Sequence, residues 1–225
     1  MTFHCHSRAS ANLGFRGLVL LALVPACAGM TSAAEPCCGP ITSAGEHLAR
    51  FLDHSDVTQR WLSGSHVDWR TGERDRPEPG GPDAKTHCSA FVGAMADKLG
   101  VYVLRPPEHQ QQLLANAQIR WLREQGAAAG WRGLASYVEA QAAANRGELV
   151  LEAVENPNPH KPGHIAIVRP SDKTRAELDR DGPQETQAGE VNAISITTAE
   201  GFRHHHGAWE PDGAGTLRYY AHTLP

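Results

Sequence analysis

The order of elements along the sequence predicts an α+β fold, in which N-terminal helices pack on an antiparallel sheet. Apolar residues recur at helical spacing up to about residue 147, whereas short extended apolar runs follow from residue 148 onward. A turn-rich segment, Asn156–Gly163, joins the first two of these runs. Helices followed by consecutive strands are typical of α+β domains. At 225 residues the chain can bury the core of one such domain.

The helices are predicted from apolar stripes and from their end signals. Leu48, Phe51 and Leu52 lie on one face of a first helix, and Gly100 ends a second helix after Leu99. A Gly- and Pro-rich loop over 63–86 separates these two helices, and a loop of that length is either functional or flexible. Four helices are expected, over 41–62, from Asp83 or Thr86 to Leu99, over about 107–124, and over about 134–146.

The strands are predicted from short apolar or alternating runs bounded by turn residues. The clearest is His164–Val168, which follows Pro162 and Gly163 and is apolar after its first residue. Five strands are expected, over Glu148–Glu155, His164–Val168, Gln184–Val191, Ala193–Thr197 and Thr216–His222.

Charge and the N-terminus bear on partners and location. A net charge of −4 gives no reason to expect nucleic acid as a partner. Residues 1–34 contain Arg8 and Arg16, then an apolar run over 18–24 and small residues before Glu35, as in a secretory signal peptide. That run is too short to span a membrane comfortably. Removing residues 1–34 leaves 19 basic and 25 acidic side chains, so the net charge becomes 19 − 25 = −6.

Two locations are compatible with this leader. The first is an exported protein, periplasmic or secreted, whose single domain covers 35–225. The second is a lipid-anchored form, because Val24-Pro-Ala-Cys27 resembles a lipobox. Membrane attachment is expected only if Cys27 is lipidated.

Cysteine usage draws attention to Cys88. Five cysteines become three after cleavage, an odd number for an oxidising compartment. Cys37 and Cys38 are neighbours, and a vicinal disulfide between them is possible but strained. Cys88 is alone in the body of the domain, in the first turn of its predicted helix. A helix N-terminus lowers the pKa of a thiol and so favours the nucleophilic thiolate.

A thiol nucleophile also needs a base and a group that orients the base. His164 opens a predicted strand, where the sheet holds its side chain at the edge of a cleft. Gln187, on the following strand, is the candidate that fixes the imidazole tautomer, and Asn192 and Glu185 lie close to it in sequence. The backbone N–H of Cys88 is a candidate donor to an oxyanion.

These segments resemble a known superfamily. Thr86-His-Cys-Ser-Ala-Phe91 at a helix start and Gly163-His-Ile-Ala-Ile-Val168 on a strand resemble the papain-like NlpC and CHAP amidases and endopeptidases. The resemblance implies a papain-like fold over a core of about 84–222, with a helical insert at about 106–147. It also implies Cys88 as nucleophile, His164 as base and Gln187 as the orienting residue, with no cofactor. The substrate it implies is an amide bond, in most members within peptidoglycan.

Two other functions are weighed beside the cysteine hydrolase. One is a non-catalytic envelope protein of the same fold that binds peptide or glycan. The other is a zinc-dependent hydrolase, for which several histidines and Cys88 are conceivable ligands although no His-Glu-x-x-His or paired Cys-x-x-Cys motif is present. Those histidines are His87, His109, His160, His204, His205, His206 and His222. The alternative role for His204–His206 is a polar loop that lines the cleft.

Overall fold

The computed structural model describes residues 36–76 and 86–225, and within them the chain forms six α-helices and six β-strands. All pairings between neighbouring strands are antiparallel, so the predicted α+β class with an antiparallel sheet is confirmed. The helices are α1 (Ser43–Asp53), α2 (Cys88–Lys98), α3 (Leu114–Glu124), α4 (Tyr137–Asn145), α5 (Arg175–Asp181) and α6 (Thr198–Gly201). The strands are β1 (Arg132–Leu134), β2 (Leu149–Val154), β3 (His164–Val168), β4 (Gln184–Gln187), β5 (Ala193–Thr197) and β6 (Arg218–His222).

The six strands lie in the order β1-β6-β2-β3-β4-β5. Strand β3 pairs along its whole length with β2, from Val154 opposite His164 to Val150 opposite Val168. Its pairing with β4 covers only Ile167 and Val168. The N-terminal half of β3, which begins with His164, is therefore open on the β4 side.

Both faces of the sheet are covered by helices. Because side chains alternate along a strand, Ile165 and Ile167 of β3 face one side, and Ala166 and Val168 face the other. The first side packs against α1, α2 and α3, and the second packs against α4, α5 and Phe202. Helix α4 of the second layer was predicted, whereas α5 was not, and the prediction did not assign helices to both faces of the sheet. Full burial of a side chain such as Phe91 stabilises the fold by about 1.5–3 kcal/mol.

Two predicted helices are shorter than expected because the backbone reverses at residues with positive φ. The helix expected over 41–62 ends at Asp53, and Asp56 (φ 57°) and Trp61 (φ 52°) lie in the turns that follow. Trp61 is buried, as its place in the apolar pattern suggested, but outside the helix. The helix expected over about 107–124 begins at Leu114, because Leu113 is left-handed with φ 55°.

The segment over 106–147, predicted as a helical insert, is part of the fold. It contains the two expected helices, α3 and α4, and also strand β1, which was not predicted. Strand β1 pairs with β6 at the edge of the sheet, and Ala140, Ala143 and Ala144 of α4 belong to the core on the second face. The segment thus builds one sheet edge and part of a helical layer.

The remaining boundaries differ by a few residues or were missed. Strands β3 and β5 have the predicted bounds, whereas the strands expected over Glu148–Glu155, Gln184–Val191 and Thr216–His222 are shorter. Helices α5 and α6 were not predicted. The proposed leader, Cys27, residues 77–85 of the long loop and Asp83, one of the two expected starts of the second helix, lie outside the described residues. Within the described ranges, no helix is long and apolar enough to cross a membrane.

Candidate active site

Cys88 is the first residue of α2 and lies against strand β3. Only 3% of its surface is exposed to solvent. Burial raises the pKa of the thiol, whereas the nearby backbone N–H groups of Ile165 and Ser89 act in the opposite direction. Gln118, fully buried on α3, fixes the first turn of α2 by donating to Ser89 O over 3.0 Å. Because burial outweighs the effect of these N–H groups, the thiol is protonated at neutral pH.

His164 is hydrogen-bonded to Gln187 in a geometry that defines its tautomer. The His164 Nε2 and Gln187 Oε1 atoms are 2.6 Å apart. Exchanging the oxygen and nitrogen of the Gln187 amide would break a hydrogen bond, because its Nε2 donates to Val191 O over 3.0 Å. Gln187 Oε1 therefore accepts, His164 Nε2 carries the proton, and His164 Nδ1 is left as an acceptor.

The surroundings of His164 keep its ring neutral. Burial, followed by the charge of nearby His205, lowers the pKa of His164 to about 4, and the hydrogen bond to Gln187 acts in the opposite direction. Phe202 makes an edge contact with the ring at 4.7 Å between centroids. His205 stacks on it at 5.3 Å with an interplanar angle of 12°. The imidazole thus packs against two rings that also contact each other, and it is in the form that can accept a proton.

The thiol and the imidazole lie on opposite sides of one peptide unit of β3, because His164 alternates with Ile165, whose side chain faces α2. The N–H that reaches the Cys88 sulfur belongs to Ile165, the residue after His164. The hydrogen bond of the His164 ring goes to Gln187 and, in the described part of the chain, not to the thiol. The site at rest therefore holds a neutral thiol and a neutral imidazole, and not a thiolate–imidazolium pair.

Of the three candidates for the orienting residue, the structure brings Gln187 to His164 and places the other two elsewhere. Asn192 Nδ2 donates to Val57 O over 2.7 Å and to Arg60 O over 2.8 Å, and its Oδ1 accepts from Gly189 N over 3.0 Å. Asn192 thus fastens the turn after β4 to the segment after α1.

Glu185 belongs instead to a buried acidic pair that sequence reasoning missed. Glu185 of β4 and Glu152 of β2 are both fully buried and interact across β3. Burial raises the pKa of both carboxyl groups, and the charge of Glu152 raises that of Glu185 further. Thr198 Oγ1 donates to Glu152 Oε2 over 2.8 Å. A glutamate inside the apolar run LVLEAV of β2 was the available signal, since an unpaired charge is rarely buried there.

Two small cavities lie at the candidate site. One, of about 130 Å³, is lined by His164, Gln187 and His205. The other, of about 140 Å³, is lined by Cys88 and Ser89. Thr86 and Pro162 line both cavities, so the two lie side by side.

The remaining histidines and cysteines were also singled out by the sequence. His204 and His205 line the cavity beside His164, and His204 Nε2 lies 3.4 Å from Glu190 Oε2. In the ranges that the structure describes, no group of three or more His, Cys, Asp or Glu side chains is arranged to hold a metal ion. Cys37 and Cys38 are free thiols, and burial, together with neighbouring Cys37, raises the pKa of Cys38 to about 12.

No protein-family model matches the chain, and no curated protein is similar to it at a significant level. Function is therefore inferred from the chemistry of the site.

Proposed function

We propose that this chain is an exported cysteine hydrolase of the papain-like NlpC/CHAP type, which cleaves amide bonds in the peptide stems of peptidoglycan. The observation that carries the proposal is the orientation of His164. Gln187 holds the proton on Nε2 and leaves Nδ1 as an acceptor, and the Cys88 sulfur lies against the next peptide unit. A nucleophile, a base and an orienting residue are the three parts that thiol acyl transfer requires.

The proposed reaction gives each of these groups one role. Cys88 Sγ attacks the substrate carbonyl while its proton passes to His164 Nδ1, and the Cys88 N–H at the start of α2 donates to the developing oxyanion. The imidazolium then gives this proton to the leaving amine as the C–N bond breaks, which leaves a thioester on Cys88. A water molecule, deprotonated by His164, then attacks the thioester. The C–S bond breaks, the acid is released, and the proton on His164 returns to the Cys88 sulfur.

Burial supports a second candidate, a non-catalytic envelope protein of the same fold that binds peptide or glycan. Cys88 is 3% exposed, and its thiol pKa is raised and not lowered. The amide of Gln187 orients the imidazole of His164 but stabilises its charged form less than a carboxylate would. These features suit a structural thiol as well as a nucleophile that becomes active when substrate binds.

Digestion of purified peptidoglycan tests the hydrolase. The protein without residues 1–34 is compared with its Cys88→Ala variant and with Cys38→Ala, which removes a half-buried thiol outside the site. We expect new stem fragments, detected by mass spectrometry under reducing conditions, from the first and third proteins only. Fragments from all three would place the activity elsewhere, and fragments from none would contradict the hydrolase.

Thiol alkylation tests the second candidate. In a protein carrying Cys37→Ala and Cys38→Ala, Cys88 is the remaining thiol after removal of the leader. A Cys88 that reacts slowly with iodoacetamide at pH 7, both with and without peptidoglycan fragments, would support the binding protein. A rate that rises when fragments bind would support the hydrolase.

A further inference from the structure

A groove leads away from Cys88 along helix α3. It consists of three cavities in a row, and each shares lining residues with the next. The first, of about 140 Å³, contains Cys88 and shares Gln112 and Leu113 with a second, of about 290 Å³. The second shares Ala117 and Arg120 with a third, of about 430 Å³. Residues 113, 117, 120 and 124 are three or four positions apart, so the groove follows one face of α3.

The far end of the groove is an aromatic platform with a polar rim. Tyr102 and Trp121 are both half-buried there, in edge contact at 5.3 Å between ring centroids and 71° between planes. The guanidinium of Arg105 lies over one face of the Tyr102 ring, 4.7 Å from its centroid, so a sugar would pack on the other face or on Trp121. The rim carries exposed acidic, basic and amide side chains from Glu108, Arg120, Glu124 and Gln125.

We infer that this groove, which we name the α3 groove, binds the glycan strand of peptidoglycan. Tyr102 and Trp121 form the platform on which a sugar ring packs. The identity of the polymer rests on the proposed function. A pyranose ring presents C–H groups on its face, and these pack on the electron-rich face of an aromatic ring. Its hydroxyl and acetamido groups hydrogen-bond to carboxylate, amide and guanidinium side chains such as those of the rim.

The dimensions and charge of the groove fit this occupant. From Leu113 to Trp121 the chain advances eight residues, or about 12 Å at 1.5 Å per residue. This length separates the sugar platform from the cavity that contains Cys88, as a substrate requires whose glycan and scissile amide are joined by a stretch of peptide. The rim has both signs of charge, Glu108 and Glu124 beside Arg120, whereas a site for a polyanion would be uniformly basic.

A binding experiment that does not depend on catalysis tests the inference. The probe is glycan strand freed of its stem peptides, titrated by calorimetry into the Cys88→Ala protein. We expect binding that weakens at least tenfold in Trp121→Ala. The matched control is Trp209→Ala, which also removes a half-buried indole in edge contact with a tyrosine, Tyr137, at 5.3 Å, on the opposite side of the sheet. The control should bind as tightly as the parent protein.

The outcomes separate this inference from the proposed function. Glycan that does not bind, or that binds equally to Trp121→Ala, would overturn the inference even if Cys88 cleaves stem peptides. Glycan binding that depends on Trp121 would support it even if no cleavage occurs. Trp121-dependent binding of free stem peptide, with no binding of glycan, would assign the groove to peptide and overturn it. If Trp121→Ala does not fold, as judged by its circular dichroism, the same titration is made with Tyr102→Ala.

Discussion

Acid should destabilise this protein through His164. The pKa of the ring is about 4 in the folded protein and 6.5 in an unfolded chain. At 1.36 kcal/mol per pKa unit, the difference corresponds to about 3 kcal/mol. Because the folded pKa is the lower one, the unfolded chain takes up the proton first as the pH falls. The contribution is therefore complete above pH 6.5, is lost between pH 6.5 and 4, and stays lost below pH 4.

Urea denaturation at pH 7.5 and pH 4 measures this term when the protein is compared with its His164→Gln variant. The glutamine does not titrate and keeps an amide that can donate to Gln187. The free energy of unfolding should fall between the two pH values by about 3 kcal/mol more in the parent protein. Glu152 and Glu185 also titrate, but they are present in both proteins and largely cancel. An equal fall in both proteins, or a His164 NMR resonance that titrates near pH 6.5, would refute this reasoning.

Three further predictions concern the residues around His164. Gln187→Ala should lower kcat/KM about 10- to 100-fold, because the tautomer of His164 is no longer fixed. Gln187→Glu should raise the pKa of His164 in an NMR titration. An unchanged rate in Gln187→Ala would contradict the orienting role. The pKa of Glu185 is raised in the folded protein, so its contribution to stability is present below pH 4.5 and is lost as the pH rises through the folded pKa. In urea denaturation, Glu185→Gln should therefore lose less stability between pH 5 and 9 than the parent protein. An equal loss in both proteins would count against a protonated pair. In Gly201→Ala the added methyl group would clash with Glu185 Oε1, so we expect urea denaturation to show a free energy of unfolding lower by about 1–3 kcal/mol. Gly133→Ala, whose methyl group meets no atom within 4 Å, should cost far less.

The sequence predicted best the elements whose pattern is local. Strand β3 has its predicted bounds because an apolar run follows His164 directly and a Pro-Gly pair precedes it. Helix α1 was extended too far because Trp61 continues the apolar pattern, although it reaches the core from a turn and donates through its indole N–H to Trp69 O over 2.9 Å. Helix α5 was missed, although its capping box of Thr174 and Glu177 was visible as a Thr-x-x-Glu pattern.

At the candidate site, residue types could be predicted from the sequence, but their environments could not. Gln187 was chosen from strand alternation, and the structure places it 2.6 Å from His164. The stacking of His205 on His164 depends on the turn after α6, a helix that the sequence did not predict. The burial of Cys88 depends on strand β3, which is 76 residues further along the chain. Propensity and spacing carry no information about such long-range packing.

The contact between the Cys88 sulfur and the Ile165 N–H limits how this protein can vary. The contact is made by the main chain, so Ile165 is free to become valine or leucine as far as the sulfur is concerned, provided that its side chain still fills the core. Proline is the residue that position 165 cannot accept, because it has no N–H to give and because strand β3 is interior to the sheet. Natural variants of this chain should therefore carry several different residues at position 165, but not proline.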